Sequence, residues 1–239
     1  LMLPYLIIFL FAAILYFQNK GSQVSTSFYV FLLTLILFSG FRDMIGGYDV
    51  YIYGQVYEMP MLILQSFDGF EVGFRFYYLI LRLISEDRYF MFFVTAALML
   101  TLHFFAIKKY SPYINFSLFI YFCKFFLMSF VYLRQGLAMG IIWLSLNYIT
   151  KRKPLHFFGL IFLAFLFHKS SIVFLPMYFI YNIKFKNLNM LLIALVTVLI
   201  AISPLSSVIL GYLAENSGDE RIEKYVSLSS GVNFFYLIE

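Results

Sequence analysis

The chain has 239 residues, of which 63% are hydrophobic and 12% are charged, and its mean hydropathy is +0.89. A soluble domain cannot bury that much apolar surface, so the composition excludes a soluble globular protein. We predict an all-α polytopic membrane protein with about 8–10 transmembrane helices, forming a single domain over residues 1–239. The net charge is +5. The positions of the charges along the chain indicate how the spans are oriented, whereas the total charge does not.

In the first half of the chain, apolar segments alternate with short polar stretches. Apolar segments at residues 1–17 and 24–41 lead into Phe41–Tyr57, a polar and aromatic stretch that predicts a loop at the lip of a pocket. An ordinary solvated loop is the alternative. In residues 70–85, charged and polar side chains recur at helical spacing, which predicts a short amphipathic helix. Residues 89–107 form an uninterrupted apolar span.

The second half of the chain is more continuously apolar. Residues 112–150 are too long for one crossing and suit two, with a turn near Ser129–Gly136. Further apolar segments occupy residues 154–167, 170–181 and 188–213. Because the chain closes on another apolar run, Asn233–Ile238, we expect it to be part of a longer protein.

Clusters of basic residues follow several of these segments and predict their orientation. The clusters lie at Lys20, Lys108–Lys109, Lys151–Lys153, and Lys184 with Lys186. If all of them face the cytoplasm, the chain must cross the membrane an even number of times between Lys20 and Lys108. The spans at 24–41 and 89–107 already supply two crossings, so the helix at 70–85 lies along the outer interface. Arg134, His168 and the aromatic loop then face outward. If Lys20 is not cytoplasmic, the 70–85 helix crosses and the loop moves to the cytoplasm.

Two side chains at the outer ends of spans suit catalysis. Arg134 has no acidic neighbour, and a guanidinium at membrane depth needs an anion, such as a phosphate bound through its planar fork. The segment before His168, from Lys151 to Phe167, rises about 25 Å, less than a bilayer core. This predicts a wet cavity in which His168 is either a general base for a sugar hydroxyl or a donor to a phosphate. The alternatives are an arginine that snorkels to headgroups and a buried, hydrogen-bonded histidine.

Other polar residues of the first half are candidate substrate contacts. Asp49 follows the flexible Gly46-Gly47 pair and is the loop carboxylate best placed to act. Glu71 either contacts substrate or pairs with Arg75 one helical turn on, and Arg42 either binds an anion or snorkels. The loop tyrosines either stack against sugar rings or anchor the chain at the interface. They are Tyr48, Tyr51, Tyr53 and Tyr57.

Several motifs are absent from the sequence. No carboxylate lies between Asp87 and Glu215, so no intramembrane acid couples substrate movement to an ion gradient. The single cysteine, Cys123, allows no internal disulfide. P-loop, G-x-S-x-G and H-E-x-x-H motifs do not occur. We expect no metal, no cofactor and no nucleic-acid partner.

Five short motifs occur in a characteristic order between about residues 41 and 180. They are Phe41-Arg42, Gly47-Tyr48-Asp49 with Tyr53 and Tyr57, Phe70-Glu71-Val72-Gly73-Phe74, Arg134-Gln135, and Phe167-His168-Lys169-Ser170-Ser171 before Leu175-Pro176. In this order and spacing the chain resembles the EpsG-like branch of the Wzy-type bacterial polysaccharide polymerases. Val72 departs from the family pattern, which often has proline at that position.

The resemblance implies a multi-pass, glycosyltransferase-C-like enzyme of the bacterial inner membrane, with its active site facing the periplasm. It would transfer glycan repeat units from undecaprenyl pyrophosphate to a growing chain, with a chain-length regulator and a flippase of the pathway as partners beside membrane lipid. Arg134, with Arg42 or Arg75, would bind the pyrophosphate, and His168 or Asp49 would accept the proton of the acceptor hydroxyl. The remaining predicted substrate contacts are Tyr48, Tyr53, Tyr57, Glu71, Gln135 and Lys169.

Three other functions stay open from the sequence. A lipid-linked oligosaccharide flippase also needs cations and aromatic rings in a cavity, but it forms no glycosidic bond. A membrane-bound O-acyltransferase acting on the same glycans would leave their length unchanged. A non-enzymatic assembly subunit is the third. The length of the glycan product therefore distinguishes the polymerase from its alternatives.

Overall fold

The structure, a computed structural model, is helical throughout its described part, which confirms the predicted all-α class there. The described residues are 3–18, 26–42, 48–126, 130–184, 186–202 and 212. Their α-helices are α1 (Leu3–Gln18), α2 (Thr26–Gly40), α3 (Tyr48–Glu58), α4 (Met61–Ser66), α5 (Val72–Arg82), α6 (Arg88–Tyr110), α7 (Ile114–Tyr121), α8 (Leu133–Thr150), α9 (Pro154–Phe167), α10 (Met177–Ile180) and α11 (Asn187–Ile202). A π-helical turn, Phe122–Phe126, extends α7, and a 3₁₀ segment, Lys169–Phe174, follows α9.

The predicted loop at Phe41–Tyr57 is helical over its second part. α3 begins at Tyr48, and its buried side chains Val50, Tyr53 and Tyr57 recur at helical spacing. Of the tyrosines that suggested a pocket lip, Tyr53 and Tyr57 therefore belong to the buried face of this helix, whereas Tyr48 and Tyr51 are exposed. Residues 43–47 of the predicted loop lie outside the described part of the chain.

Among the described residues, α6 is the one helix that is long and apolar enough to cross a membrane. It occupies the span predicted at 89–107 and ends with Lys108 and Lys109 in its last turn. α6 packs against α2, α3, α7 and α8. Through Phe104 it joins an apolar cluster with α2 and α7, and through Met91 and Met99 it joins a second cluster with α3, α5 and α8. The number of spans and the glycosyltransferase-C-like fold stay predictions.

α8 and α9 form a helical hairpin whose bounds agree with the predicted segments. The connection Lys151–Lys153 is short, and Arg152 within it has a φ of 52°, a left-handed conformation that reverses the chain. Helices joined by so short a loop run antiparallel. The start of α8 and the end of α9 therefore lie at the same end of the hairpin, which brings Arg134 and His168 together.

α5 is amphipathic, as predicted, and its charged face is turned into the protein. The side chains of Arg75 and Arg82 are only 18% and 6% exposed. The exposed apolar side chains of this segment are Val72, Phe76, Ile80 and Leu83. An eleven-residue helix rises only about 16 Å and cannot cross a bilayer. Its outer face suits acyl chains rather than water.

A close contact joins α5 to α9. A Cβ atom at Gly73 would stand 2.7 Å from the Cβ of Leu166 and 2.8 Å from its carbonyl oxygen, distances that real Cβ atoms avoid. Glycine at this position therefore lets the two helices approach closely. Glu71, just before α5, and His168, just after α9, meet as a result.

By its internal contacts the chain divides into two compact units, Leu1–Tyr181 and Asn182–Glu239. The first unit contains α1 to α10 and every residue that the sequence predicts for the site. In the second unit, α11 is an apolar helix of 16 residues. The single transmembrane domain over residues 1–239 stays a prediction.

Candidate functional site

Glu71 is the centre of a polar cluster where α5, α8 and α9 meet. It occupies the N-cap position of α5, and its side chain is 10% exposed. One carboxylate oxygen, Oε2, accepts a hydrogen bond from Nη1 of Arg134 at 2.5 Å. The other, Oε1, lies 3.4 Å from Nδ1 of His168 and accepts the amide N–H of Lys169 at 3.4 Å. Both oxygens therefore face a cation or a donor.

The predicted alternative pair between Glu71 and Arg75 does not form. Glu71 precedes the helix in an extended conformation, with φ −62° and ψ 150°, so its side chain leaves the face on which i,i+4 pairs meet. Nη1 of Arg75 instead donates to the carbonyl of Gln65 at 2.9 Å and lies 3.8 Å from the carboxylate of Asp68. Arg75 thus satisfies a free carbonyl in the last turn of α4.

Arg134 is held in three directions. Its Nε donates to the hydroxyl of Tyr53 at 3.2 Å, and its Nη1 donates to the carbonyl of Gly69 at 3.3 Å as well as to Glu71. The guanidinium carbon lies 4.8 Å from the centre of the Phe70 ring. These bonds use three of the five N–H groups of an arginine. The two on Nη2 have no partner among the described residues, so they can bind an anion.

His168 follows the last turn of α9, and its amide donates to the carbonyl of Ala164 at 2.9 Å. Its side chain is 27% exposed. Nδ1 is buried and lies beside the carboxylate of Glu71 without a hydrogen bond of good geometry. In the tautomer that carries its proton on Nδ1, Nε2 is the proton acceptor, since a neutral imidazole carries one proton. A carboxylate that orients an imidazole in this way is the usual support of a general base.

Glu71 is ionised at neutral pH. Burial raises the pKa of this carboxyl, but the adjacent imidazole of His168 and the positive charge of Arg134 lower it by more, so that its pKa falls from 4.5 to about 2. The negative charge of Glu71 thus offsets the positive charge of Arg134. Uptake of a proton by His168 makes the cluster positive.

Aromatic rings pack against the cluster. Tyr53 stacks on Phe70 with ring centres 5.3 Å apart, and its hydroxyl reaches Arg134. Tyr57 is fully buried against Tyr78, and its hydroxyl donates to the carbonyl of Ser85 at 2.6 Å. The structure therefore places the rings of Tyr53 and Tyr57, predicted to contact sugar, in the core.

The structure does not bring every predicted site residue to this cluster. Tyr48 and Asp49 lie exposed in the first turn of α3, and Asp49 has no hydrogen bond or ion pair within the described part of the chain. Arg42 is buried after α2, with its guanidinium 4.8 Å from the rings of Phe92 and Phe130. The guanidinium of Arg42 thus packs against two aromatic rings.

Gln135 and Lys169 flank the cluster without their side chains joining it. The side chain of Lys169 is exposed, and this residue reaches Glu71 only through its amide. Gln135 lines a groove between α6, α7 and α8.

Three residues that were not predicted to have a role shape the cluster: Gly69 and Phe70 contact Arg134, and Gly73 sets the distance between α5 and α9. Phe70 and Gly73 belong to the Phe70–Phe74 motif, which is recognisable as a motif but does not reveal a close helix contact, and Gly69 lies just before it.

Comparison with known proteins gives one result. No curated protein and no solved structure matches the chain. The profile of the EpsG family matches residues 25–235, and this match spans most of the chain, including all the residues of the Glu71 cluster. With its helical architecture and apolar α6, it indicates a membrane protein of polysaccharide biosynthesis. The chain therefore belongs to the EpsG family.

Proposed function

We propose that the protein is a polysaccharide polymerase that transfers glycan repeat units from undecaprenyl pyrophosphate to a growing chain. Membership in the EpsG family supports a polymerase-like role. The observation that carries the proposal is the convergence of Arg134, Glu71 and His168, which combines an anion-binding fork with an oriented general base. The enzyme is a glycosyltransferase of the glycosyltransferase-C-like type, in the bacterial inner membrane, with this cluster open to the periplasm.

In the transfer, a hydroxyl of the acceptor glycan attacks the anomeric carbon of the lipid-linked glycan. The new glycosidic bond forms as the bond from that carbon to the pyrophosphate breaks, and the electron pair leaves with the lipid pyrophosphate. The hydroxyl proton passes to Nε2 of His168. The pyrophosphate is already a good leaving group, so the protein has mainly to orient two glycans and stabilise negative charge.

Arg134 contacts the departing pyrophosphate through the N–H groups of Nη2. The other N–H groups are fixed by Tyr53, Gly69 and Glu71, so the guanidinium needs little reorganisation when the charge develops. The charge of the cluster rises as His168 takes the proton, at the moment when the pyrophosphate gains negative charge.

Glu71 is a positioning residue in this proposal. It orients the imidazole through Nδ1 and fixes Arg134 through Nη1. Its carboxylate stabilises the imidazolium that forms during transfer.

The test compares product length in a strain whose own copy of the gene is deleted. Arg134→Ala and His168→Ala should abolish chain lengthening while the protein remains in the membrane at the normal level. The matched controls are Arg88→Ala, which breaks a partly exposed ion pair with Glu58, and His156→Ala, which removes a ring stacked on Tyr148. Both controls should give polymer of normal length, since such surface contacts contribute little.

Product length also separates the alternatives. A flippase variant would accumulate untransported repeat units, and an O-acyltransferase variant would make undecorated polymer of normal length. Normal polymer from both Arg134→Ala and His168→Ala would remove the proposal.

A further inference from the structure

A cavity lies on the other side of α8 from Glu71. Its volume is about 380 Å³, within the range of small-molecule sites, and it is bounded by α6, by α7 with its π turn, and by α8. Its wall is largely apolar and aromatic, with Met99, Phe125, Met139 and Trp143. Tyr132 and Gln135 supply polar groups at the end where α8 begins. We call this cavity the α6–α8 groove.

His103 makes the middle of the groove apolar even though it is a polar residue. Its Nε2 must donate to the carbonyl of Gly136 at 2.8 Å, because a carbonyl only accepts. In the neutral ring, Nδ1 then accepts from the hydroxyl of Tyr121 at 2.8 Å. Both ring nitrogens and the tyrosine hydroxyl are used, so His103 offers the groove only its ring. An apolar ligand therefore leaves no buried donor or acceptor unsatisfied here.

The polar end of the groove and the Glu71 cluster lie at the same end of α8, on different faces of the helix. Gln135 follows Arg134 directly in the first turn of α8, where no side chain caps the backbone N–H groups, and the first N–H bonded within the helix is that of Gly136, which donates to the carbonyl of Tyr132 at 2.7 Å. The first turn of a helix attracts anions through these groups, and Nη2 of Arg134 adds two donors. A ligand with an anionic head and an apolar tail thus matches both ends of this region.

From this arrangement we infer that the α6–α8 groove binds the first isoprenoid units of the lipid carrier. The inference rests on the proposed function, which places the pyrophosphate of that carrier at Arg134. Methionine and aromatic side chains suit an irregular, methyl-branched chain because methionine adapts its shape to the ligand. The groove fixes the leaving group from its lipid side, whereas the glycan is held elsewhere.

Photocrosslinking tests the inference in the full chain. p-Benzoylphenylalanine replaces Met139, which lines the groove, or Phe162, which is exposed on α9 outside it. Each protein is placed in nanodiscs of phosphatidylethanolamine and phosphatidylglycerol with radiolabelled undecaprenyl monophosphate. Position 139 should crosslink about tenfold more than position 162, and unlabelled undecaprenyl monophosphate should displace the label. Equal labelling at both positions, or equal displacement by added phosphatidylglycerol, would show ordinary bilayer lipid and overturn the inference.

A kinetic arm uses variants that fill the groove. Met139→Trp should raise the KM for an undecaprenyl-linked donor by about tenfold at unchanged kcat, and leave the KM for a donor whose pyrophosphate carries a methyl group instead of an isoprenoid chain as it is. Leu144→Trp, at an exposed position of the same helix, is the control and should change neither value. An equal rise for both donors would overturn the inference.

These two experiments distinguish a wrong assignment of the groove from a wrong proposed function. If the wild-type protein makes polymer but position 139 captures no carrier, the groove assignment alone is wrong. If the protein makes no polymer, crosslinking still reports whether the groove holds the carrier.

Discussion

The N–H groups of Arg134 point in several directions, and only a planar guanidinium reaches all of its partners. Tyr53, Gly69 and Glu71 occupy three of these groups, which leaves those of Nη2 for an anion. A lysine ammonium is a single point charge and cannot hold these partners together with a phosphate.

Arg134→Lys should therefore lower chain lengthening nearly as much as Arg134→Ala, by about 100-fold or more, although the positive charge is kept. The measurement is the initial rate of glycan transfer by purified protein. A rate within a few-fold of wild type would show that charge alone suffices and that the fork geometry is unimportant.

The depressed pKa of Glu71 predicts a pH dependence of stability. A carboxyl whose pKa is about 2 in the folded state and 4.5 otherwise stabilises the fold fully above pH 4.5. This contribution is lost as the pH falls from 4.5 toward 2. The difference in Tm between wild type and Glu71→Gln, measured in detergent, should accordingly shrink across that window. A difference that is the same at pH 5 and pH 3 would contradict the assignment of Glu71 as a buried, paired carboxylate.

Residue type predicted some members of the cluster better than others. Arg134 and His168 are conspicuous in the sequence because each stands at the end of an apolar segment. The partner of Glu71 was not predictable, since a one-residue difference between an N-cap and a helical position decides whether Arg75 is within reach. Tyr57 is indistinguishable in sequence from an exposed tyrosine until α3 is known to be a helix with that face buried.

At the scale of elements, the contact between α5 and α9 sets the geometry of the cluster. Gly73→Ala would place a methyl group against the Leu166 backbone, which cannot move as a flexible side chain does. We expect α5 to shift away from α9, at a cost of about 1–3 kcal/mol and with a loss of transfer activity larger than the loss of stability implies. Tm in detergent and the rate of transfer measure the two effects.

Gly159 provides a matched control within α9. A Cβ atom there would meet no atom within 4 Å. Gly159→Ala should thus be neutral or stabilise the helix by up to about 1 kcal/mol, with normal activity. If Gly73→Ala resembles Gly159→Ala in both measurements, the close contact does not control the site.

The helical elements were predictable where hydrophobic periodicity and flanking charges agree. The bounds of α9 follow from Pro154 at its start and from the end of its apolar run at His168. The π turn at Phe122–Phe126 has no such signal, because its sequence is as apolar as that of α7 before it. The inward orientation of the charged face of α5 was also not predictable. Periodicity shows that a helix has a polar and an apolar face, but it does not show which face is buried.

At the scale of the whole molecule, the α8–α9 hairpin relates the cluster to the two sides of the membrane. α9 has 14 residues and rises about 21 Å, less than a bilayer core of about 30 Å. If the basic turn Lys151–Lys153 lies at the cytoplasmic surface, the end of α9 lies below the outer surface, in a hollow that opens outward. The exposed apolar face of α5 is consistent with this depth, because it would contact acyl chains beside the hollow.

Cysteine labelling tests this orientation. The native thiol is exposed, so the background is Cys123→Ser. In intact spheroplasts, a membrane-impermeant maleimide should label Lys169→Cys, just after α9, but should label Lys153→Cys, just before it, only after permeabilisation. Both side chains are exposed, so a difference between them reports the side of the membrane rather than burial. Labelling of Lys153→Cys alone in intact cells would place the Glu71 cluster at the cytoplasmic face, where a periplasmic polymerase could not use it.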